Sequence, residues 1–249
     1  MEEDSLSKAT VAAQQFAGGY KRKGVAGIFF MGALARGYFD KYADIDIVIV
    51  ARKSSKLRFD YRLPIPKYEG FELDAWVGCL EDMKKKSWSM DRRWSFSEAK
   101  IYYDPYGELR RLLKEKCRYR KRERRWLIME GTVQSEWFAN RLPKVWVSRG
   151  DMLSAHAMFG YGVSYLLQAV FAINKRLIPY KKWDLNYSRK LPWLPDRFHE
   201  KLGEIYTMRD LTREEIDRRR RAFMYIWGPV RKRAEKEIGI KFEVFKRFV

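Results

Sequence analysis

The sequence has 249 residues, 46% of them hydrophobic and 34% charged, a balance that excludes a disordered chain and fits one large domain or two small ones. Lys and Arg number 52 against 32 Asp and Glu, giving a formal charge of +20 that attracts nucleotides, RNA or acidic surfaces and repels polycations. Two cysteines, Cys79 and Cys117, and two histidines, His156 and His199, exclude a disulfide framework and a zinc cluster and favour a reducing, cytoplasmic setting.

The opening MEEDSLSKAT is acidic and polar, unlike a secretory leader. Ser7 to Gly18 reads as a short helix ended by Gly18-Gly19. Val25 to Met31 is an apolar run of strand length, after which Gly32 breaks the pattern and Ala33 to Arg36 starts a short helix. Asp44 to Val50 predicts a second strand. Leu57 to Leu63 alternates apolar and polar residues, a half-buried strand closed by Pro64 and Pro66. In Phe71 to Val77, the residues Phe71, Leu73, Ala75 and Val77 share one face, while Glu72, Asp74 and Trp76 share the other. AKIYYDPYGELRRLLKEKC then reads as a strand, a turn at Asp104 to Gly107, and a basic helix.

Beyond Arg125 strand signals vanish, and helical patterns run from Trp126 to about Lys175 and from Thr212 to Lys236. A Pro- and Trp-rich connector, LIPYKKWDLNYSRKLPWLP, lies between them. The boundary is expected near Arg124, giving domains 1–124 and 125–249. Met152 to Ile173 carries no charge, but it holds His156, Gln168, two glycines and two serines, which predicts a buried central helix and no membrane span.

The chemistry concentrates in GALARGYFDKYADIDIVIV. Side chains alternate along a strand, so Asp44 and Asp46 face one side and Ile45, Ile47 and Ile49 the other, with the two aspartates roughly 6–7 Å apart at Cα. Asp74 also faces away from the apolar side of its strand. Three carboxylates on neighbouring strands suit a pair of Mg²⁺ ions, which take oxygen ligands and keep water and substrate phosphates in their shell. Upstream, Gly32 allows close backbone approach, Ala33 opens a helical turn whose N–H groups suit an anion, and Arg36 adds a positive charge one turn later.

The same stretch resembles the signature of the DNA polymerase β-like nucleotidyltransferase superfamily: an apolar strand, Gly followed by Gly or Ser, a spacer, then Asp-apolar-Asp-apolar. LARG and ADID are most similar to the small bacterial and archaeal members, including those that modify antibiotics. FELDAWVG stands where that family has its third metal carboxylate, implying Asp74, with Glu72 on the same face as the alternative; KIYYDPYGEL resembles the strand and turn that close the catalytic domain. FAINKRLIPYKKW resembles, less specifically, helical domains attached to such modules.

The resemblance implies an α+β fold: a mixed β-sheet flanked by helices, followed by an all-α C-terminal domain. It implies a magnesium-dependent enzyme with Asp44, Asp46 and Asp74 as catalytic metal ligands and Gly32, Ala33 and Arg36 as nucleotide- and phosphate-binding residues. A nucleoside monophosphate would pass from an NTP, expected to be ATP, to a hydroxyl acceptor with release of pyrophosphate. Asp74 is the implied proton acceptor, with Glu136 or Asp151 of the helical domain as alternatives. Ala33 departs from the family, because a serine there offers a hydroxyl to a phosphate oxygen.

The acceptor expected is a small molecule, though the positive charge counts against a polycationic aminoglycoside. The basic stretches LRRLLKEKCRYRKRERRW and REEIDRRRRAF support an RNA or protein acceptor, or a non-catalytic RNA- or partner-binding module on the same fold. Glu–Arg pairing on solvated helix faces, with Glu115, Glu123, Glu214 and Glu215 as the acidic partners, is the preferred account of them. Membrane association is not expected, and homodimerisation stays open.

Overall fold

The computed structural model describes residues 2–22, 24–52, 61–63 and 65–249. The chain divides into two compact units, residues 1–118 and 119–249.

The first unit holds helices α1 (Glu2–Gly18), α2 (Gly32–Arg36), α3 (Leu80–Lys85), α4 (Met90–Ser97) and α5 (Glu108–Lys116). Its strands are β1 (Val25–Phe30), β2 (Ile45–Ala51), β3 (Tyr61–Arg62), β4 (Lys67–Tyr68), β5 (Phe71–Cys79) and β6 (Lys100–Tyr103). They form a mixed sheet in the order β3-β5-β2-β1-β6, with β4 pairing to β5. β2 and β5 are parallel, and the other pairings are antiparallel. The fold is α+β. Of the strand expected over Leu57–Leu63, residues 57–60 lie outside the described set, and Tyr61–Arg62 pairs with β5 at the sheet edge.

Alternation puts a separate core on each face of this sheet. On one face Ile28, Phe30, Ile45, Ile47, Ile49, Leu73 and Ala75 pack with α1 and α2 through Ala9, Ala13, Phe16 and Leu34. On the other, Phe29, Val48 and Val50 pack with α3 and α5 through Leu80, Met83, Leu109, Leu112 and Leu113. Each buried Leu, Ile or Phe side chain contributes roughly 1.5–3 kcal/mol through removal from water, so both faces of β2 are held in register. Asp104 accepts from the backbone N–H groups of Leu109 (3.3 Å) and Arg110 (2.9 Å), which fixes the expected turn before α5.

The second unit is all helical: α6 (Lys121–Glu136), a π-helical turn over Trp137–Arg141, α7 (Leu142–Ser148), α8 (Met152–Ile173), a 3₁₀ turn over Lys181–Trp183, α9 (Asp184–Ser188), α10 (Phe198–Tyr206), α11 (Arg213–Ile238) and α12 (Phe242–Phe245). α8 is its axis. Among the described residues it is the one helix long and apolar enough to cross a membrane, yet 61% of its most apolar window is buried inside the protein. It packs on α6 and on the π turn with little side chain between: a Cβ on Gly131 would lie 2.7 Å from the Ala169 nitrogen, and one on Gly162 would lie 2.4 Å from the Ala139 Cβ. The π turn falls just before Pro143, whose missing N–H cannot continue the α-helical ladder.

The division between units falls a few residues before the expected Arg124. α6 runs unbroken through that position, and Arg124 bonds within the helical unit, donating to the Ala172 carbonyl (2.7 Å) and pairing with Glu237 (2.6 Å). Helices α3 and α4 were not expected from the sequence. Ser89 is the overlooked signal, since its hydroxyl accepts from the Arg92 N–H at 3.3 Å and caps α4.

Candidate active site

Asp46 and Asp74 stand opposite each other in the parallel β2–β5 ladder. Ile45 and Ile47 on β2, and Leu73 and Ala75 on β5, are buried in the α1-side core, which turns both aspartates to the opposite face. Asp44 precedes β2 by one residue and joins them there. Carboxylate oxygens of Asp44, Asp46 and Asp74 all lie within 4.8 Å of one another. All three residues are partly buried. Like charges this close repel by about 1 kcal/mol per pair in water and about 4 kcal/mol near a protein surface.

A divalent cation relieves that repulsion. The all-oxygen donor set fits Mg²⁺ or Mn²⁺ and disfavours zinc, which prefers nitrogen and sulfur. Ligands at roughly 2.0–2.1 Å from one Mg²⁺ are at most about 4.2 Å apart, so the trio could hold one ion after a small side-chain adjustment, or bracket two. Glu72 is exposed and outside this cluster.

Gly32 is built against the same carboxylates. The Met31 N–H donates to the Asp46 carbonyl at 3.0 Å, fastening the end of β1 beside Asp46. The chain then turns at Gly32 with φ +57°, and a Cβ there would sit 1.8 Å from Oδ2 of Asp46. Only glycine satisfies both conditions. Ala33 is 6% exposed and packs its methyl into the α1-side core. Its contribution to any ligand is therefore its backbone N–H.

Arg36 lies one turn on, with its guanidinium 4.5 Å above the Trp94 ring of α4. It also bonds the hydroxyl of Tyr38. Burial raises the Tyr38 pKa, the Arg36 charge and hydrogen bond oppose that rise, and Asp40 and Asp46 add to it. Arg36, Tyr38 and Asp46 thus share one electrostatic neighbourhood. The sequence did not point to Tyr38, which falls in the spacer of the quoted motif, or to Trp94, which belongs to no periodic pattern.

Behind the carboxylates on the same sheet face lies a cavity of 170 Å³, lined by Met31, Val48, Trp76, Met83, Arg92, Ser95 and Phe96 among others. Val48 and Trp76 are the next residues on that face after Asp46 and Asp74, and they too are register partners.

Residues 14–101 match the nucleotidyltransferase domain family. The N-terminal unit is a nucleotidyltransferase domain of the DNA polymerase β-like superfamily. A solved nucleotidyltransferase-like protein from Exiguobacterium sibiricum is 10% identical to this chain with a TM-score of 0.52, covering 93% of this chain and 78% of its own. At that identity the likeness is one of fold. No curated protein matches the chain in sequence.

Other sequence candidates have structural roles in the helical unit. Glu136 is 8% exposed and accepts from Asn140 (2.8 Å) and Arg141 (2.8 Å). Asp151 caps α8 by accepting from the Ser154 N–H at 2.8 Å, and its bonds to Ser154 lower its pKa. Part of the basic charge on α6 and α11 is paired: Arg124 with Glu237, Arg218 with Glu215 and Arg220 with Asp217.

Proposed function

We propose that the nucleotidyltransferase domain transfers a nucleoside monophosphate from a magnesium-bound NTP, ATP as the first candidate, to the hydroxyl of a small-molecule acceptor. The observation that carries this reading is the convergence of Asp44, Asp46 and Asp74 within 4.8 Å beside Gly32. Three clustered carboxylates repel a phosphate unless cations intervene, so a plain anion-binding module has no use for them.

Asp44, Asp46 and Asp74 would hold Mg²⁺, which when bound neutralises charge on the triphosphate and lowers the pKa of the attacking hydroxyl. Gly32 lets the backbone turn against the Asp46 carboxylate, and the Ala33 N–H with the Arg36 charge favours an anion beside it. The acceptor oxygen attacks the α-phosphorus in line. The bond from the α-phosphorus to the α–β bridging oxygen breaks, and its electron pair leaves with pyrophosphate. Asp74 takes the proton of the acceptor hydroxyl. Most of the rate gain comes from positioning and charge stabilisation. The helical unit, residues 119–249, is assigned the acceptor-binding role.

The test uses α-labelled ATP, CTP, GTP and UTP with Mg²⁺ and separate small-molecule, RNA and protein fractions of a cell extract. Label entering the small-molecule fraction with wild-type protein, and not with Asp46→Ala, is the expected result. Label in the RNA or protein fraction would reassign the acceptor. No transfer to any fraction would leave a binding module in place of an enzyme.

A further inference from the structure

We propose that the cavity behind the carboxylates binds the nucleobase of the nucleotide. The inference rests on the reading of Asp44, Asp46 and Asp74 as the triphosphate's metal site.

Position comes first. Val48 and Trp76 are register partners on β2 and β5, two residues beyond the partners Asp46 and Asp74. Side chains two residues apart on a strand share a face at about 6–7 Å, so the cavity begins one step along the sheet from the carboxylates. A pentose ring bridges that gap between a phosphate held at the aspartates and a base held at Trp76.

Size and shape fit one planar ring system. The cavity measures 170 Å³, and an apolar cavity of about 150 Å³ accepts a benzene ring. Its walls are Met31, Val48, Trp76, Met83 and Phe96, which offer flat or pliable apolar surface. Phe96 is locked in place by edge-on contacts with Phe29 (5.0 Å) and Trp88 (5.1 Å). The wall is therefore formed before any ligand arrives, and binding costs little ordering.

The polar groups match a base edge. Arg92 and Ser95 on α4 line the cavity, and they donate hydrogen bonds of the kind that ring nitrogens and exocyclic carbonyls accept. The α4 helix that presents them is anchored by Arg93, which is 7% exposed and donates to the Arg118 carbonyl at 3.3 Å. A pocket that is mostly apolar with two convergent polar groups is the usual form of a small-molecule site.

The test compares each of the four NTPs with inorganic tripolyphosphate, by calorimetry in Mg²⁺, on wild type, Trp76→Ala and Ser95→Phe. Loss of stacking on one aromatic ring corresponds to an affinity change on the order of tenfold or more. Wild type is expected to bind at least one NTP about tenfold more tightly than tripolyphosphate. Both variants should erase that margin and bind tripolyphosphate as wild type does. An unchanged margin in both variants, or none in wild type, overturns the base site and leaves the carboxylate reading standing. Absence of Mg²⁺-dependent binding of both probes overturns the two together.

Discussion

Gly32 and Asp46 are in contact across the turn that leaves β1: a Cβ on the glycine would stand 1.8 Å from Oδ2 of the aspartate. The residue that lets the backbone turn also sets where one carboxylate lies. Substitution there acts on the site and on the fold at once.

Gly32→Ala is expected to cost roughly 1–2 kcal/mol of stability from the left-handed backbone alone. Displacement of the Asp46 carboxylate by about 1 Å should lower transferase activity on the order of 100-fold. Urea denaturation and a labelled-NTP assay check the two effects separately, and wild-type activity in the variant would exclude a role for this contact.

Magnesium should stabilise the native protein through the three carboxylates. At a free concentration near 100 times Kd the expected gain is about 2.7 kcal/mol, seen as a rise in Tm. Asp46→Asn removes one charge from a cluster within 4.8 Å, so the metal-free variant should be as stable as wild type or more so, and its Tm should ignore Mg²⁺. A Tm that rises equally with Mg²⁺ in both proteins would place the ion elsewhere.

The helical unit should weaken as pH falls from 7 to 5. His156 is 6% exposed and its Nδ1 accepts from the buried Arg219 guanidinium. Burial lowers the His156 pKa, and the Arg219 charge lowers it further, against smaller opposing contributions from the Asp210 backbone, Glu215 and Asp210. A folded pKa below the unfolded value near 6.5 means the unfolded chain binds the proton first. Stability is therefore complete above about 6.5 and is lost as pH drops toward the folded pKa. His199 shifts in the same direction, through burial and Arg189. His156→Gln should flatten the pH dependence of the denaturation midpoint to the share that His199 contributes.

Two glycines of α8 offer a matched pair. Gly162→Ala forces a methyl against Ala139, whose Cβ would be 2.4 Å away, and should cost roughly 1–3 kcal/mol. Gly160 is exposed with no atom within 4 Å of a new Cβ, so Gly160→Ala should stabilise the helix by roughly 0.5–1 kcal/mol. Denaturant midpoints that move together for the two variants would contradict the close packing of α8 on the π turn.

Local pattern made much of this legible. Alternation at Asp44-Ile45-Asp46-Ile47 and at Glu72-Leu73-Asp74-Ala75 dictated that the aspartates face away from those apolar neighbours, so the side of its strand on which each of Asp44, Asp46 and Asp74 lies followed from period-two geometry alone. The uncharged run of α8 declared a buried helix, and Asp104 to Gly107 declared a turn, because their backbone requirements are local.

Other features needed the folded chain. Neither the parallel pairing that sets Asp46 opposite Asp74 nor the convergence of three carboxylates is written in any one segment, since both depend on strands brought together from distant positions. The same holds for Arg36 over Trp94 and for the cavity between Val48, Trp76 and Phe96, where α4 closes over the sheet. By itself the sequence determined the faces, the turns and the residue types of the site. Only the tertiary structure decided which of those residues meet, because burial of apolar surface from both sides of the sheet selects the strand partners.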